Sequence, residues 1–329
     1  MTHMHGEPCG RVRTTRGIDL RERPTEKIVV AAAQFAPVFL DRDRTIDKAC
    51  HIIADAGRAG ASLVLFPEAF VSGYPDWVWL IPNSHGAVLN ELYTELWNHA
   101  VTVGDPATDQ LCRAAKSAGT YVAIGINERN AEASNASLYN SLLVIDASGA
   151  VVGVHRKLMP TGGERTVWAQ GDGSTLQVWA TPFARVGALI CWENYMPLAR
   201  NAMYEGGAQI HLAPTWDKSP NWIASMQYIA REGGMYVVNC CMALHRDVLP
   251  DRLGFKALYP AEREWLNAGN SCVVGPDGKF VAGPVAEREE LLLAEVAPAQ
   301  ITAAKRMFDV SGHYARPDVF TFGVNRAEE

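Results

Sequence analysis

The 329-residue sequence contains no apolar run of about 20 residues, the length that a membrane-spanning helix requires. It also has no excess of positive charge. Its 30 lysines and arginines are interspersed with 36 aspartates and glutamates, which gives a formal net charge of -6. This balance argues against a nucleic-acid binder and against a polybasic membrane patch. We therefore expect no nucleic-acid and no membrane partner, and a small molecule as the substrate.

Disulfide-forming cysteine patterns are absent too. The seven cysteines are an odd number without regular spacing, which predicts reduced thiols in a cytoplasmic protein and not a secreted disulfide scaffold. The adjacent pair Cys240–Cys241 lacks the CxxC spacing of a metal site, and no glycine-rich piece has the GxGxxG pattern after a strand. Met1–Lys27 has no apolar segment of the secretory kind. The sequence thus predicts no metal and no cofactor.

Short apolar runs alternate with helical patterns along most of the chain. The predicted strands Ile28–Phe35 and Leu63–Phe66 enclose a helix whose apolar residues recur at helical spacing, and this β-α-β order predicts parallel strands. No proline-, glycine- or serine-rich linker divides the chain. We therefore predict one α/β domain over residues 28–310, with a flexible N-terminal arm at 1–27 and a C-terminal tail at 311–329.

Residues outside the strands predict where helices begin and where loops lie. Asp43 or Thr45 is expected to cap the first helix, and Pro106 is expected in the first turn of another. Ser72–His85 contains prolines, a glycine and two tryptophans, which favours an aromatic-rich loop of the kind that walls pockets.

Cys191 follows the apolar run Val186–Ile190 and precedes Pro197, which suits the start of a helix. The residue thus lies at the carboxyl end of a predicted strand. Open α/β sheets place their ligand crevices there, and a helix N-terminus stabilises an anionic thiolate. A free cysteine is more often a small buried core residue, and the strand alone favours core packing by roughly two to one. The residues at the other strand ends separate these two interpretations.

Two charged residues stand at the ends of other strands, Glu68 after Leu63–Phe66 and Lys157 after the strand that ends at His155. A thiol nucleophile needs a base that takes its proton, and a cation or donor that holds the developing negative charge. A lysine beside the thiol would favour the thiolate. A glutamate whose pKa is raised by apolar neighbours would act as base and then as acid. Each residue alone would also suit a solvated strand end.

Histidine is the usual partner of a catalytic cysteine. The internal candidates are His155, His211 and His245, yet none of them follows a strand as directly as the glutamate and the lysine do. The sequence around Cys191 also lacks the local pattern of papain-like enzymes, so the glutamate and lysine are preferred over a cysteine–histidine pair.

Three segments resemble the catalytic blocks of the nitrilase, or carbon–nitrogen hydrolase, superfamily: FPEAF at Phe66–Phe70, HRKLMPTGGER at His155–Arg165 and CWEN at Cys191–Asn194. They occur in the family's order of glutamate, lysine and cysteine, and the likeness in block order extends from Ile28 to Val296. The resemblance implies a four-layer α-β-β-α sandwich, built when two protomers pair. It also implies a homodimer that assembles into a larger homo-oligomer or spiral.

The resemblance further implies a role for each matched residue. By this resemblance, Cys191 matches the nucleophile and Glu68 the general base. Lys157 matches the cation that stabilises the tetrahedral intermediate, and Glu164 matches the second carboxylate, which positions lysine and substrate. The alternative for Glu164 is an ion pair with Arg165 or Arg129.

Aromatic residues near these blocks are expected to wall a substrate pocket, and Trp192, Tyr74 and Trp168 are the predicted substrate-binding residues. Tryptophans also pack interfaces between protomers, which is the alternative for the tryptophans of this set. The backbone N–H of Trp192 is an expected oxyanion donor because it follows the nucleophile. Gly162 and Gly163 stand where the family has bulkier residues, and this departure is expected to enlarge or loosen the pocket beside the second glutamate.

The segments CWENYMPLAR, RKLMPTGGER and HLAPTWD resemble the true nitrilases within the superfamily. The implied reaction is hydrolysis of a nitrile with two waters to a carboxylic acid and ammonia, through a cysteine thioimidate and an acyl-enzyme. One alternative is an amidase of the same superfamily that hydrolyses a small amide. Another is a catalytically silent scaffold that uses the sandwich for binding, which the intact glutamate, lysine and cysteine set disfavours.

Overall fold

The computed structural model describes residues 27–130 and 134–326, so nearly all of the predicted N-terminal arm lies outside the described residues. The strands within these stretches are β1 (Ile28–Gln34), β2 (Ala61–Leu65), β3 (Tyr121–Arg129), β4 (Leu138–Ile145), β5 (Val151–Arg156), β6 (Val178–Ala180), β7 (Arg185–Ala188), β8 (Ile210–Thr215), β9 (Tyr236–Cys241), β10 (Ala243–His245), β11 (Trp265–Val274), β12 (Phe280–Ala286) and β13 (Glu290–Val296). The α-helices are α1 (Arg42–Arg58), α2 (Gly86–Asn98), α3 (Pro106–Ala118), α4 (Pro197–Glu205), α5 (Pro220–Gly233) and α6 (Pro298–Lys305).

Six strands form the first sheet, in the order β13-β1-β2-β3-β4-β5. Strands β1, β2 and β3 are parallel neighbours, as the β-α-β pattern predicts, and α1 makes the crossover between β1 and β2. Strands β3, β4 and β5 are joined by antiparallel pairing. Strand β5 therefore points in the same direction as β2 and β3, so the carboxyl ends of β2 and β5 lie at the same edge of this sheet.

Seven strands form the second sheet, with the order β10-β11-β9-β8-β7-β6 and with β12 paired to β11. Its centre is parallel, because β8 pairs in parallel with both β7 and β9. Helix α4 connects β7 to β8 and helix α5 connects β8 to β9. The carboxyl ends of β7 and β8 therefore share one edge of the second sheet.

Apolar side chains on the facing sides of the two sheets form the central layer of the core. Val30 and Leu65 of the first sheet belong to the same buried cluster as Val186 and Leu212 of the second. Helices α1 and α3 cover the outer face of the first sheet, and α4 and α5 cover that of the second. The fold is a four-layer α-β-β-α sandwich, which confirms the predicted class.

One chain supplies all four layers, so the expectation that two protomers must pair to build the sandwich is wrong. Each sheet carries helices on only one face, and its other apolar face must be covered. The second sheet of the same chain covers it.

Two local features of the helices differ from the expectations. Asp41, and not Asp43 or Thr45, caps α1, because its side chain accepts the N–H of Arg44 at 3.0 Å. Helix α2, which the sequence did not predict, follows the aromatic loop. Its N-cap His85 makes no side-chain capping bond, so the cap signal on which such predictions depend is missing there.

Residues beyond α6 return to the sandwich. Phe322 and Val324 pack against the cluster formed by α4, α5 and the second sheet, and the guanidinium of Arg326 donates to the carbonyl of Leu176. The boundary between domain and tail at residue 310 stays a prediction.

Three further observations on the described residues bear on the expected partners. None of their helices combines the length and the apolar character needed to cross a membrane. Their six cysteines are all free thiols. No group of three or more histidine, cysteine or acidic side chains within the described stretches has the arrangement to hold a metal ion.

Candidate active site

Three predicted site residues stand at one edge of the first sheet. Glu68 lies just after β2, Lys157 directly follows β5, and Glu164 lies in the 3₁₀ turn that comes next along the chain. Strand β3 packs closely under the turn that carries Glu68. A Cβ at Gly125 would lie 2.2 Å from the carbonyl oxygen of Pro67, so only glycine permits this approach.

The ammonium of Lys157 joins two carboxylates. Its Nζ lies 2.8 Å from Oε1 of Glu68 and 2.7 Å from Oε2 of Glu164, and all three side chains are buried. We call these three residues the carboxylate–lysine cluster. The two arginines considered as partners of Glu164 have other contacts, a backbone carbonyl for Arg165 and an indole ring for Arg129.

Glu68 is held by two further donors. Nδ2 of Asn140 donates to Oε1, and the backbone N–H of Trp216 donates to Oε2, each at 2.7 Å. Burial raises the pKa of Glu68, the charge of Lys157 opposes this increase, and the charge of Glu164 reinforces it. A carboxyl with a raised pKa is suited to exchange a proton during a reaction near neutral pH.

The cluster carries an excess of negative charge when both carboxylates are ionised. Burial by itself would lower the pKa of Lys157, but the charges of Glu68, Cys191 and Glu164 outweigh it and raise the pKa. The lysine is therefore a permanent cation. Two carboxylates against one ammonium leave one negative charge uncompensated, which disfavours a further anion beside them.

Cys191 stands at the carboxyl edge of the second sheet. It opens the 3₁₀ turn Cys191–Tyr195, here named the Cys191 turn, and its φ of 51° lies in the left-handed region that non-glycine residues avoid. The hydroxyl of Thr215 donates to its Sγ at 3.1 Å, and the N–H of the next residue, Trp216, donates to Glu68. Consecutive residues of one segment thus contact the thiol and the carboxylate–lysine cluster.

The thiol of Cys191 is buried and has charged neighbours of both signs. Burial raises its pKa well above the usual value, the charge of Glu68 adds to this increase, and the charge of Lys157 opposes it. The charge of Lys157 thus favours the thiolate, as the sequence predicts, while burial and the carboxylates oppose it. The thiol becomes a nucleophile only when a base takes its proton, and the carboxylate of Glu68 meets this requirement chemically.

Tyr74 and Trp168, two of the predicted substrate-binding residues, border the carboxylate–lysine cluster. The hydroxyl of Tyr74 donates to Oε1 of Glu164 at 2.6 Å, and its ring stacks on that of Trp216 with centroids 4.7 Å apart. Trp168 meets Tyr74 edge-on, and its ring centroid lies 5.9 Å from Nζ of Lys157. An aromatic wall thus covers one side of the cluster.

The indole of Trp192 contacts a different set of residues. It is 47% exposed, donates from Nε1 to Oδ2 of Asp217 at 2.9 Å, and meets Tyr195 edge-on. The structure therefore brings Tyr74 and Trp168 together at the cluster. The side chain of Trp192 instead contacts Tyr195 and Asp217 at the protein surface.

Gly162 and Gly163 do not loosen the site. A Cβ at Gly162, whose φ is 51°, would lie 2.9 Å from Cη2 of Trp79, and a Cβ at Gly163 would lie 2.8 Å from the carbonyl oxygen of Val78. The aromatic loop thus fills the space that larger residues would occupy, and its Trp79 donates to the hydroxyl of Tyr74 at 3.1 Å. The expectation of an enlarged or loosened pocket is wrong.

The sequence did not predict a second buried ion pair near the site. Nε2 of His155 lies 3.0 Å from Oε2 of Glu193, and both side chains are buried. Glu193 also accepts the backbone N–H groups of Leu158 and Ile190, each at 2.6 Å. We call His155 and Glu193 the histidine–glutamate clamp. The available signal was an acidic residue two positions after Cys191, just beyond the apolar run Val186–Ile190.

The other candidate histidines also have partners elsewhere. Nε2 of His211 lies 2.7 Å from Oδ1 of Asn194, and burial lowers the pKa of His211 to about 3, so this imidazole is neutral. Asn194 in turn donates to the carbonyls of Leu189 and Cys191. His245 packs edge-on against an indole ring. The geometry favours the carboxylate–lysine cluster over a cysteine–histidine pair.

A four-layer sandwich with a buried glutamate, lysine and cysteine at its sheet edges defines the nitrilase-type class of α/β proteins. The chain belongs to the carbon–nitrogen hydrolase family, whose model matches residues 29–306. This finding confirms the family indicated by the three sequence blocks.

Known proteins resemble the chain over most of its length. It is 42% identical over 303 residues to an aliphatic nitrilase of Sinorhizobium fredii (strain HH103), covering 91% of this chain and 96% of the relative. It is 38% identical over 308 residues to nitrilase 1 of Arabidopsis thaliana, covering 92% and 88%. Among solved structures, Nit3 of Saccharomyces cerevisiae, a member of branch 10 of the nitrilase superfamily, has a TM-score of 0.67 at 20% identity, covering 88% and 96%. The identities support the nitrilase branch, and the structural likeness shows the shared fold.

Proposed function

We propose that this protein is a nitrilase that hydrolyses an organic nitrile with two waters to a carboxylic acid and ammonia. The observation that carries the proposal is the Lys157 ammonium, held between two buried carboxylates beside the buried thiol of Cys191. Relatives named nitrilases at 42% and 38% identity support a nitrile as the substrate. The domain proposed at residues 28–310 would contain the whole site.

The first proposed step forms a covalent thioimidate. Glu68 takes the proton of the Cys191 thiol, and the thiolate attacks the nitrile carbon, so that a C–S bond forms and one π bond of the nitrile breaks. The nitrogen gains the electron pair and receives the proton from Glu68. Lys157 stabilises the negative charge that develops, because its ammonium is fixed in a site that excludes water.

The next proposed steps consume the two waters. Glu68 deprotonates the first water, which adds to the thioimidate carbon. The nitrogen of the tetrahedral intermediate takes this proton from Glu68 and a second proton from the new hydroxyl, and ammonia then departs to leave a thioester on Cys191. A second water hydrolyses the thioester, which releases the carboxylic acid and restores the thiol. Lys157 and the backbone N–H of Trp192 are the proposed partners of the oxyanion. Cleavage of the C–S bond before ammonia departs would release an amide instead.

Glu164 is proposed to position the lysine. Its Oε2 accepts from Nζ of Lys157 and from the backbone N–H of Thr161, each at 2.7 Å, while its Oε1 accepts from Tyr74. Three protein donors thus hold this carboxylate in one orientation, so that it can fix the ammonium of Lys157. Tyr74 and Trp168 are proposed to wall the substrate pocket, and Trp192 to contribute at its rim.

Ammonia release from a panel of aliphatic, aromatic and arylaceto nitriles and of the matching amides tests the substrate. We expect turnover of at least one nitrile with kcat/KM above that of its amide, and the acid as the main product. A protein that hydrolyses the amides and leaves every nitrile intact would be the alternative amidase, and the nitrilase proposal would be wrong.

Replacement of the nucleophile tests the mechanism. Cys191→Ala should abolish ammonia release and leave the circular dichroism spectrum unchanged. Cys240→Ala is the matched control, because Cys240 is a buried free thiol on β9 outside the proposed machinery, and its loss should leave turnover within about threefold. Turnover retained in Cys191→Ala would exclude this residue as the nucleophile.

We also propose that two protomers pair through the α4 and α5 face, within a larger homo-oligomer. Leu198 on α4 and Tyr228 on α5 are 71% and 60% exposed, which is unusual for large apolar side chains and favours a covered surface. A reducing, cytoplasmic compartment suits the free thiols. Light scattering of the purified protein, compared with Leu198→Glu, tests the pairing, since a wild-type monomer would contradict it.

A further inference from the structure

We propose that the histidine–glutamate clamp is a positioning device that fixes Lys157 and Cys191 relative to each other across the two sheets. Its members are not proposed to touch the substrate. The consequence for turnover rests on the proposed function, whereas the geometry of the clamp and its effect on the thiol do not.

One carboxylate bridges the segments that carry the two residues. Oε1 of Glu193 accepts the N–H of Leu158, the residue directly after Lys157, and Oε2 accepts the N–H of Ile190, the residue directly before Cys191. Both bonds measure 2.6 Å, short for an N–H donor. The backbones of Lys157 and Cys191 are therefore tied through a single buried side chain.

His155 holds that carboxylate in place. It lies on β5, two residues before Lys157, and its Nε2 is 3.0 Å from Oε2 and 3.2 Å from Oε1 of Glu193. Its Nδ1 faces the carbonyl oxygen of Thr175 at 3.2 Å, so an imidazolium can donate from both nitrogens. The carboxylate receives donors from the imidazole and from two backbone amides. Among the described contacts, Glu68 accepts one backbone N–H, from Trp216, and Glu164 accepts one, from Thr161. Neither carboxylate therefore joins the backbones of two segments as Glu193 does.

The Cys191 turn needs such a restraint. Cys191 adopts a left-handed conformation that is strained for a non-glycine residue, and the turn that it opens has only five residues. Asn194 donates to the carbonyls of Leu189 and Cys191, and Glu193 accepts the N–H of Ile190 just before the strained residue. Loss of Glu193 would leave two buried N–H groups without their acceptor and free the turn to move away from Lys157.

The aromatic wall of Tyr74 and Trp168 does not depend on these bonds. Its hydrogen bonds run to Glu164 and to Asn127. A clamp variant should therefore impair the chemical step more than substrate binding. This split between kcat and KM distinguishes a positioning role from a general loss of structure.

Glu193→Gln is the decisive variant. A glutamine keeps the shape but offers one acceptor oxygen, so its NH₂ group must face one of the two backbone N–H donors. We expect kcat to fall by about 100-fold or more, as for a misplacement of about 1 Å, with KM within about threefold. We also expect alkylation of Cys191 by iodoacetamide, followed by mass spectrometry, to slow by at least about tenfold, because the thiol moves away from its base.

Two companion variants complete the experiment. Glu128→Gln is the matched control, because Glu128 is a buried carboxylate on β3 that pairs with Arg156 at 2.6 Å and makes its hydrogen bonds away from the Cys191 turn. It should lower the melting temperature and leave kcat and alkylation within about threefold. His155→Gln keeps Glu193 and both backbone bonds, so it should be milder than Glu193→Gln. The double variant should be no worse than Glu193→Gln alone.

The clamp proposal is wrong if Glu193→Gln, corrected for the folded fraction, matches Glu128→Gln in kcat and in alkylation rate. If Glu193→Gln fails to fold, His155→Gln decides: slower alkylation supports the proposal and an unchanged rate overturns it. If the wild type releases no ammonia from any nitrile, the proposed function fails, while the alkylation rates still test the clamp.

Discussion

The carboxylate–lysine cluster and the histidine–glutamate clamp both bury charged groups where the two sheets face each other, but they differ in their numbers of positive and negative groups. In the cluster, Glu68 and Glu164 share one ammonium, and one negative charge is left over. In the clamp, the single carboxylate of Glu193 faces two backbone amides and one imidazole, whose pKa it raises against the opposing effect of burial.

This difference separates a reactive group from a supporting one. Burial raises the pKa of Glu68, and the second carboxylate, Glu164, adds to this increase against the opposing charge of Lys157, which suits a group that exchanges a proton. A balanced pair anchored to backbone has little reason to move. The comparison teaches that burial alone does not mark the reactive carboxylates, whereas burial in a cluster with an excess of negative charge separates Glu68 and Glu164 from Glu193.

The largest effect should come from removal of the cation from the cluster. Lys157→Met leaves two buried carboxylates without their ammonium, so we expect a loss of about 3–5 kcal/mol in the free energy of unfolding. Ammonia release should fall by at least about 10³-fold, since the developing charge loses its fixed partner. Urea denaturation and steady-state kinetics measure the two quantities.

Lys48→Met is the control for this prediction. Lys48 also pairs with a glutamate at 2.7 Å, through Glu289, but both side chains are partly exposed. The expected loss in the free energy of unfolding is below about 1 kcal/mol, with unchanged turnover. Equal losses for the two lysines would show that the imbalance in the cluster has no special consequence.

The next effect concerns the proton on Glu68. Glu68→Gln should lower turnover by about 10²- to 10⁴-fold, the usual contribution of a positioned general base. In the wild type, turnover should rise with pH as the carboxylate forms, with a midpoint above the ordinary carboxyl range because burial raises the pKa of Glu68. The variant should lose this dependence, and a wild-type midpoint within the ordinary range would contradict the assignment.

The same pKa shift has a defined sign for stability. Because folding raises the pKa of Glu68, the folded protein holds this proton more tightly than the unfolded chain does. The stabilisation is complete below the ordinary carboxyl range and is lost as pH rises through the raised pKa. The melting temperature of the wild type should therefore fall relative to that of Glu68→Gln across this window.

The sequence predicted the parts of the site that come from strand ends. Glu68, Lys157 and Cys191 each lie at or just beyond the carboxyl end of a strand, the first two at one edge of the first sheet and Cys191 at an edge of the second. The helix α2 was missed because its N-cap His85 has no capping side-chain bond. The fold class followed from the alternation of strands and helices together with the family resemblance.

The supporting contacts could not be predicted in the same way. Glu193 acts on backbone N–H groups, and backbone amides are identical at every position of a sequence. The sequence indicates that Lys157 favours the thiolate, but it does not indicate that burial raises the pKa of the thiol, because local sequence does not report burial. The space at Gly162 is filled by Trp79, 83 positions earlier in the chain, a pairing that only the fold creates.

The smallest effect should come from a neutral contact that belongs to neither charged group. The hydroxyl of Thr215 donates to Sγ of Cys191 at 3.1 Å and accepts the N–H of Asp217 at 2.9 Å. Thr215→Val keeps the shape and removes both bonds. The hydroxyl lowers the pKa of the thiol, so the variant should raise that pKa and slow iodoacetamide alkylation at a given pH by about three- to tenfold.

Turnover of Thr215→Val should fall by a similar factor, because the thiolate is needed in the first step and one neutral hydrogen bond contributes about 0.5–1.5 kcal/mol. Thr181→Val is the control, since Thr181 makes comparable bonds to backbone in the turn between β6 and β7. A loss as large as that of Lys157→Met would break the comparison, because a neutral contact would then matter as much as the unbalanced charge. A loss of turnover of only a few fold would show that the charged groups of the carboxylate–lysine cluster contribute far more to catalysis than this neutral contact does.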